Sequence, residues 1–312
     1  PVIDIDSRLR YLITYPHGCI EQIPSGGFPQ LFVADLIETT ASEKEDIKKN
    51  VQSVIERYPG YQTSSGGFAY WPGNTSPNFW GTNYAGHFLA EARKAGYTVP
   101  DSIFKPWLSF QQQAARTWQD SDSNDQSIQA YRLYTLAVAG YPELGAMNRL
   151  STQRELDDNA RWLLAAAYSL AGHQSTSQDL TKDLSLWPGK YRNTGGTWGS
   201  NYRDSALILN SLNVMKDTAR ASTMIPAIAE SLGSNAWYST QETLWTLMAL
   251  APHYRQYDQK PCAYTITLNG NATDGALAST AEVVRLMPAE TPSQTLALSN
   301  TCGKTIYGKI VT

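Results

Sequence analysis

Apolar residues recur with helical spacing over most of this chain, in two distinct manners. Stretches dense in small and aromatic residues, at 84–95, 128–139, 160–171, 202–215 and 241–250, carry apolar positions on several sides. Their alanines and glycines allow close approach, and Tyr131, Tyr134, Trp162, Tyr168 and Trp245 supply bulk, as in helices crowded all round. Between them lie stretches with a single apolar stripe. In 42–58, Ile47, Val51, Val54, Ile55 and Tyr58 share one face while lysines and glutamates point away, and Ser42 with Glu45 forms a capping box. Similar stripes run through 101–118, 143–154, 177–186 and 218–232. Inner and outer helices are therefore expected in turn. With one more inner helix after residue 19, about six inner and six outer helices close into an α/α toroid, and the fold class is mainly α.

After Pro261 the spacing changes to alternation, in 264–268, 283–286, 295–298 and 306–311, with an Asn269-Gly270 turn signal after the first run. Two units are expected: a helical domain over 1–260 and a β-rich segment over 261–312. So short a segment buries little core by itself, so its strands either lean on the helices or complete a sandwich whose other half is elsewhere.

Composition narrows the function. The 312 residues are 42% hydrophobic, enough for a substantial core. A net charge of -3 and a pI near 5.9 leave no electrostatic footprint for nucleic acid or an acidic membrane surface. No apolar run reaches the length of a membrane span, so direct insertion is not expected. The chain opens on Pro1 without a signal-peptide pattern, which points to a fragment or a processed product. Cys262 and Cys302 are available as a pair in an oxidising compartment, though spacing does not show whether they meet.

The distinctive chemistry is at the front. Cys19 and Gln22 set a thiol and a carboxamide three residues apart, where the sulfur can displace ammonia and close an internal thioester. Rival accounts are a buried structural cysteine, or a thiol nucleophile served by His17, His87, His173 or His253. Two Gly-aromatic segments, GGFAYWPG at 66–73 and GGTWGS at 195–200, each precede an inner helix and suit tight turns with inward aromatics. The acidic loop 119–126 (Asp120, Asp122, Asn124, Asp125) begins like a calcium loop but lacks its glycine and glutamate, and no metal or other cofactor is expected. Asn74-Thr75-Ser76 and Asn271-Ala272-Thr273 match the glycosylation pattern.

The run Gly18-Cys19-Ile20-Glu21-Gln22, set within YPHGCIEQ, resembles the thioester motif of the alpha-2-macroglobulin and complement C3 superfamily in its bacterial form. The loop 66–73 resembles one in bacterial macroglobulin thioester domains. The resemblance implies a thioester between Cys19 and Gln22, with Gly18, Ile20 and Glu21 completing the motif. Tyr15, Phe28, Phe68, Tyr70 and Trp71 are candidates to keep water from it. It further implies a broad-spectrum endopeptidase inhibitor, not an enzyme, that traps attacking proteases covalently through their lysine amines. No histidine lies between His87 and His173, where complement relatives place one that favours hydroxyl targets, so amines are the expected nucleophiles. Other macroglobulin domains of the parent chain would be partners, and segment 261–312 would be part of a CUB-like or macroglobulin-like β-sandwich. The setting would be periplasmic, cell-surface or extracellular, with any membrane anchor in a missing N-terminal region.

Two other functions suit the same helices. A glycan-degrading or cyclase-like toroid enzyme would need carboxylates facing across a funnel, with Asp157 or Asp158 and Glu242 or Asp204 as candidates. Alternatively, the toroid is a docking module in which Cys19 never forms a thioester.

Overall fold

The computed structural model describes residues 18–37, 39–119, 123–193, 195–233, 238–255, 262–277, 284 and 294–301. The fold is mainly α. The helices are α1 (Gln22–Gly27), α2 (Gln30–Leu36), α3 (Ala41–Arg57), α4 (Phe79–Lys94), α5 (Asp101–Thr117), α6 (Ser123–Val138), α7 (Leu144–Ser151), α8 (Asp158–Leu170), α9 (Gln174–Thr181), α10 (Asn201–Met215), α11 (Thr218–Leu232) and α12 (Thr240–Arg255). Inner helices pack in the order α4, α6, α8, α10, α12, and α12 returns onto α2 and α1, so the ring closes. Helices α3, α5, α7, α9 and α11 lie outside it, five among the described residues.

Small residues make the close approaches. A Cβ on Gly86 of α4 would lie 2.0–2.2 Å from the indole of Trp107, which α5 lays across that helix. Gly81 in the same way takes the side chain of Ile20, whose Cγ2 would be 2.5 Å from an added Cβ. Helix α8 buries Ala165, Ala166 and Ala167 in succession. At the centre His87 is ringed by Phe28, Tyr131, Tyr134 and Trp245. Its Nδ1 lies 3.0 Å from the Tyr131 hydroxyl, and burial, helped by Lys94, drives its pKa down to about 3.

The inner helices start with side-chain caps: Asn78 for α4, Asp157 for α8, Ser200 for α10 and Ser239 for α12. From these ends a circuit of hydrogen bonds runs round the ring. Asn83 Nδ2 donates to Ile128 O (2.8 Å), Ser127 Oγ to Asp157 Oδ2 (2.7 Å) and Asn159 Nδ2 to Asp204 Oδ2 (2.7 Å). Ser200 Oγ then donates to Glu242 Oε1 (2.6 Å), and Thr240 and Gln241 donate to Glu21. The circuit thus ends beside Cys19.

Some expected boundaries move. The capping box of α3 is Thr40 with Glu43, not Ser42 with Glu45; both pairs have the spacing, but Thr40 has the extended backbone of a cap and Ser42 is already inside the helix. Residues 123–126, expected in a loop, form the first turn of α6, while 120–122 lie outside the described residues. Helix α9 begins before Ser177 and ends at Thr181, short of the expected Leu186.

Three antiparallel strands, β1 (Cys262–Leu268), β2 (Asn271–Leu277) and β3 (Leu296–Asn300), are ordered β2-β1-β3. Asn269 and Gly270, both at positive φ, make the β1–β2 turn. Strand β2 was not expected. Its Gly275 leaves room for the ring of Tyr264, which an added Cβ would approach to 2.3 Å. Of the expected run 283–286 only Val284 is described, outside any strand, and 306–311 lie outside the described residues. Cys262 is in a disulfide; Cys302 lies outside the described residues.

Candidate functional site

Gly18, Cys19, Ile20 and Glu21 form the turn that enters α1, and Gln22 is the first residue of that helix. Gly18 has φ +120°, a conformation essentially closed to side-chain-bearing residues. That kink lets the Gln22 side chain fold back over the turn, so that a Cβ on Gly18 would lie 2.0 Å from Gln22 Oε1 and 2.8 Å from its Cδ. The Cys19 N–H donates to Gln22 Oε1 at 3.1 Å. Thiol and carboxamide therefore belong to one tight turn, and the amide oxygen already faces a backbone donor.

Three attachments hold the turn. Tyr61 Oη donates to Gly18 O at 2.5 Å, and Ile20 N donates to Tyr70 O at 3.1 Å. Ile20 itself is fully buried against α4. Glu21 supplies the third: its Oε1 accepts from Ser25 Oγ (3.1 Å), Thr240 Oγ1 (3.0 Å) and Gln241 Nε2 (3.1 Å). Ser25 Oγ is also 3.0 Å from the Tyr84 hydroxyl, which ties the same carboxylate to α4.

Cys19 is 3% exposed and is not in a disulfide. Tyr70 neighbours Cys19; its interaction with that thiol, followed by burial and the nearby Glu21, pushes the Tyr70 pKa up to about 12, so the phenol stays protonated. Burial is also the main cause that raises the Tyr61 pKa, with the neighbouring Cys19 adding to it and Arg57 opposing. An open cleft of about 420 Å³, lined by Tyr70 and 73–78, lies alongside.

The candidate shielding residues separate. Tyr70 neighbours Cys19, and its backbone oxygen accepts from Ile20 N at 3.1 Å. Trp71 meets Tyr70 edge to face at 5.5 Å and is 50% exposed. Phe28 packs on Tyr84, His87 and Phe88, and Phe68 on Tyr58, so both belong to the core beneath the turn. Tyr15 lies outside the described residues, as does His17. The other histidines are engaged elsewhere: His87 with Tyr131, His253 with Asn213 at 2.7 Å, and His173 against the Tyr168 ring. The residues missed from sequence are Tyr61, Thr240 and Gln241. Tyr61 acts on a backbone oxygen and leaves no trace in the pattern, whereas Gln241 and Glu242, polar residues in a stretch expected to be buried, were a signal.

Three of the four carboxylates considered for a toroid enzyme have structural partners. Asp157 caps α8, and Asp158 lies in that helix's first turn. Glu242 accepts from Ser239 N (2.6 Å), Ser200 Oγ (2.6 Å) and Arg192 Nη2 (2.8 Å). Asp204 accepts from Tyr191 and Asn159, with Arg203 Nε 2.5 Å away in ion-pair contact. Among the described residues no group of histidine, cysteine or carboxylate side chains could hold a metal ion, and no helix is long and apolar enough to cross a membrane.

Fold and site define a ring of paired helices that carries a cysteine–glutamine turn at the capped end of its inner helices. In sequence and fold the chain is similar to alpha-2-macroglobulins. Residues 2–130 match the family model of the A-macroglobulin TED domain. The Escherichia coli (strain K12) alpha-2-macroglobulin is 28% identical over 269 residues, covering 78% of this chain and 16% of that protein. A Salmonella alpha-2-macroglobulin, solved after reaction with methylamine, superposes with a TM-score of 0.71 at 26% identity over 89% of this chain and 19% of its own. An Escherichia coli alpha-2-macroglobulin activated by porcine elastase superposes with a TM-score of 0.66 at 24% identity, over 92% of this chain and 26% of its own. The resemblance to the thioester domain of bacterial alpha-2-macroglobulins is borne out by these comparisons, and the chain spans only a fraction of each relative's length.

Proposed function

We propose that Cys19 and Gln22 form an internal thioester and that this chain is the covalent-capture domain of a protease inhibitor. The observation that carries this is the geometry at Gln22: its carboxamide is folded over Gly18 with Oε1 on the Cys19 N–H at 3.1 Å. In formation, Cys19 Sγ attacks Gln22 Cδ and ammonia leaves. In capture, a lysine amine of the target attacks the same carbon, the C–S bond breaks, and the electron pair returns to Sγ, which takes up the proton the amine gives up. The product is an amide to the former Gln22 side chain and a free Cys19 thiol. Each step places negative charge on Oε1 of a tetrahedral intermediate, and the Cys19 N–H is the donor aimed at that oxygen. Tyr70, protonated and neighbouring Cys19, offers a hydrogen bond to the departing thiolate and covers it from water.

The reaction is single-turnover, so the domain is a consumed reagent and not an enzyme. Reaction of the Salmonella relative with methylamine supports an amine-sensitive bond, and activation of the Escherichia coli relative by elastase supports proteases as targets of the parent protein. Broad endopeptidase inhibition, a periplasmic or cell-surface setting and docking against other macroglobulin domains follow from the same kinship. Domain 1–260 would hold the thioester, and the open sheet, with Leu296 and Leu298 exposed, suits half of a β-sandwich completed by neighbouring chain.

The test is the intact mass of fresh protein with and without methylamine, followed by peptide mapping. A mass short by one ammonia, then raised by one methylamine as the Cys19 thiol appears, is expected. Full mass and a reactive thiol at the outset, in both this chain and its full-length parent, would refute the thioester.

A further inference from the structure

Glu21 stands between the two reacting residues yet takes no part in the steps above. Its side chain is buried, 8% of the residue remaining exposed, and a carboxylate in that position is tolerated only when its oxygens are hydrogen-bonded. Three donors converge on Oε1: Ser25 from its own helix, and Thr240 and Gln241 from the first turn of α12. Two are hydroxyls, free to rotate. The third is an amide whose orientation is fixed by the contact, because only its NH2 can face a carboxylate. The Gln241 Oε1 of that amide is buried without a hydrogen-bond partner, so the side chain is held by Glu21 and not by a neighbour on its other side.

The donors on α12 are themselves fixed from beyond. Ser239 and Glu242 bracket Thr240 and Gln241 in a capping box, with Ser239 N to Glu242 Oε2 at 2.6 Å and Glu242 N to Ser239 Oγ at 3.2 Å. Glu242 is in turn gripped by Ser200 and Arg192 from the loop that precedes α10. The position of the first turn of α12 is thus transmitted through one carboxylate to the peptide that carries both Cys19 and Gln22.

We infer that Glu21 is a positioning residue through which the start of α12 sets the reactivity of the Cys19–Gln22 bond. It rests on the thioester function proposed above. With the tether made, the Cys19 N–H stays on Gln22 Oε1 and the sulfur stays under Tyr70. With it broken, turn and helix separate, the oxyanion donor drifts off the carbonyl, and water reaches the bond. Displacements of about an ångström at a reacting centre change rates by orders of magnitude, so a modest loosening of the turn is enough.

The experiment withdraws the α12 donors, and in one variant the Glu21 charge, without touching Cys19 or Gln22. In the purified chain, the paired substitution Thr240→Val with Gln241→Met removes both α12 donors, and Glu21→Gln keeps the shape but removes the charge. Gly86→Ala, which crowds Trp107 of α5 and leaves residues 18–22 unchanged, is the stability control. For each, the ammonia-loss fraction, the methylamine rate, the rate of spontaneous thiol release and the thermal midpoint are measured, the rates well below that midpoint. The paired variant is expected to release the Cys19 thiol spontaneously about tenfold faster than wild type, with an altered ratio of methylamine to water reaction, and Glu21→Gln to fall between. Gly86→Ala should lower the midpoint and leave both rates unchanged. Should the pair not fold, Thr240→Val alone carries the test with a smaller change in the same direction. Paired-variant rates equal to those of wild type would overturn the positioning role while leaving the thioester standing. Absence of ammonia loss in wild type would overturn both.

Discussion

Substitution of Gly18 by alanine tests the turn at its tightest point. The backbone there has φ +120°, and an alanine forced into such a region costs about 1–3 kcal/mol. The added methyl would lie 2.0 Å from Gln22 Oε1, 2.8 Å from Cδ and 2.9 Å from Cβ, all below any tolerable contact. The Gln22 side chain must therefore swing out, giving up the hydrogen bond from Cys19 N, worth about 1 kcal/mol. The backbone strain disfavours the native turn by about 1–3 kcal/mol, a fall of roughly fivefold or more in its population, and the methyl clash against Gln22 outweighs the hydrogen bond given up. Gly18→Ala should accordingly fold, with a thermal midpoint lowered by a few degrees, yet keep the mass of an unreacted Gln22 and a free thiol. Intact mass and thiol titration on one preparation decide it. Full ammonia loss and wild-type methylamine kinetics in this variant would refute the claim that the folded-back geometry is what permits the bond.

Other consequences are open to simpler assays. Tyr70→Ala should uncover the sulfur and speed spontaneous thiol release several-fold, whereas Tyr70→Phe, which keeps the ring but not the hydroxyl, should speed it less; equal effects of the two would mean the ring contributes nothing, and a wild-type rate in Tyr70→Phe that the hydroxyl contributes nothing. Gly86→Ala forces a methyl into the buried Trp107 indole and should destabilise the chain by about 1–3 kcal/mol in denaturant titrations. His87 has its pKa lowered to about 3 from an ordinary 6.5, so below pH 6.5 the unfolded chain binds a proton that the folded one refuses. Stability should then fall as pH drops from 6.5 toward 3, by about 2 kcal/mol between pH 7 and pH 5 from this group alone. Denaturant titrations of wild type and His87→Gln at both pH values should differ by that amount, and identical pH dependences would contradict a buried neutral imidazole.

The sequence revealed the ring of helices because apolar periodicity answers directly to burial: α4, α6, α8, α10 and α12 all fall on the stretches dense in alanine and aromatics. The cysteine and glutamine were legible because their spacing is chemical. What stayed hidden depends on partners distant in the chain. Glu21 reads as a motif residue, but two of its three donors lie 219 and 220 residues later, and no local pattern specifies them. Strand β2 escaped because Asn271, Asp274 and Gly275 are poor strand formers, and only pairing with β1 holds them extended. Between Thr40–Glu43 and Ser42–Glu45 the sequence offers two boxes of the same spacing, and the helix starts from the first.

The circuit of hydrogen bonds that closes on Glu21 also fixes an order of events in time. Residues 19–22 are made long before Thr240 and Gln241, the partners that complete the Glu21 site. At about 5–20 residues per second, translation of the intervening chain takes roughly ten to forty seconds. During that interval Cys19 is an ordinary thiol on an unfinished surface, without α12 to hold its turn. On the proposed thioester reading, the bond would mature after the last inner helix has docked, and a nascent chain still lacking α12 would carry no armed acyl group among the amines around it.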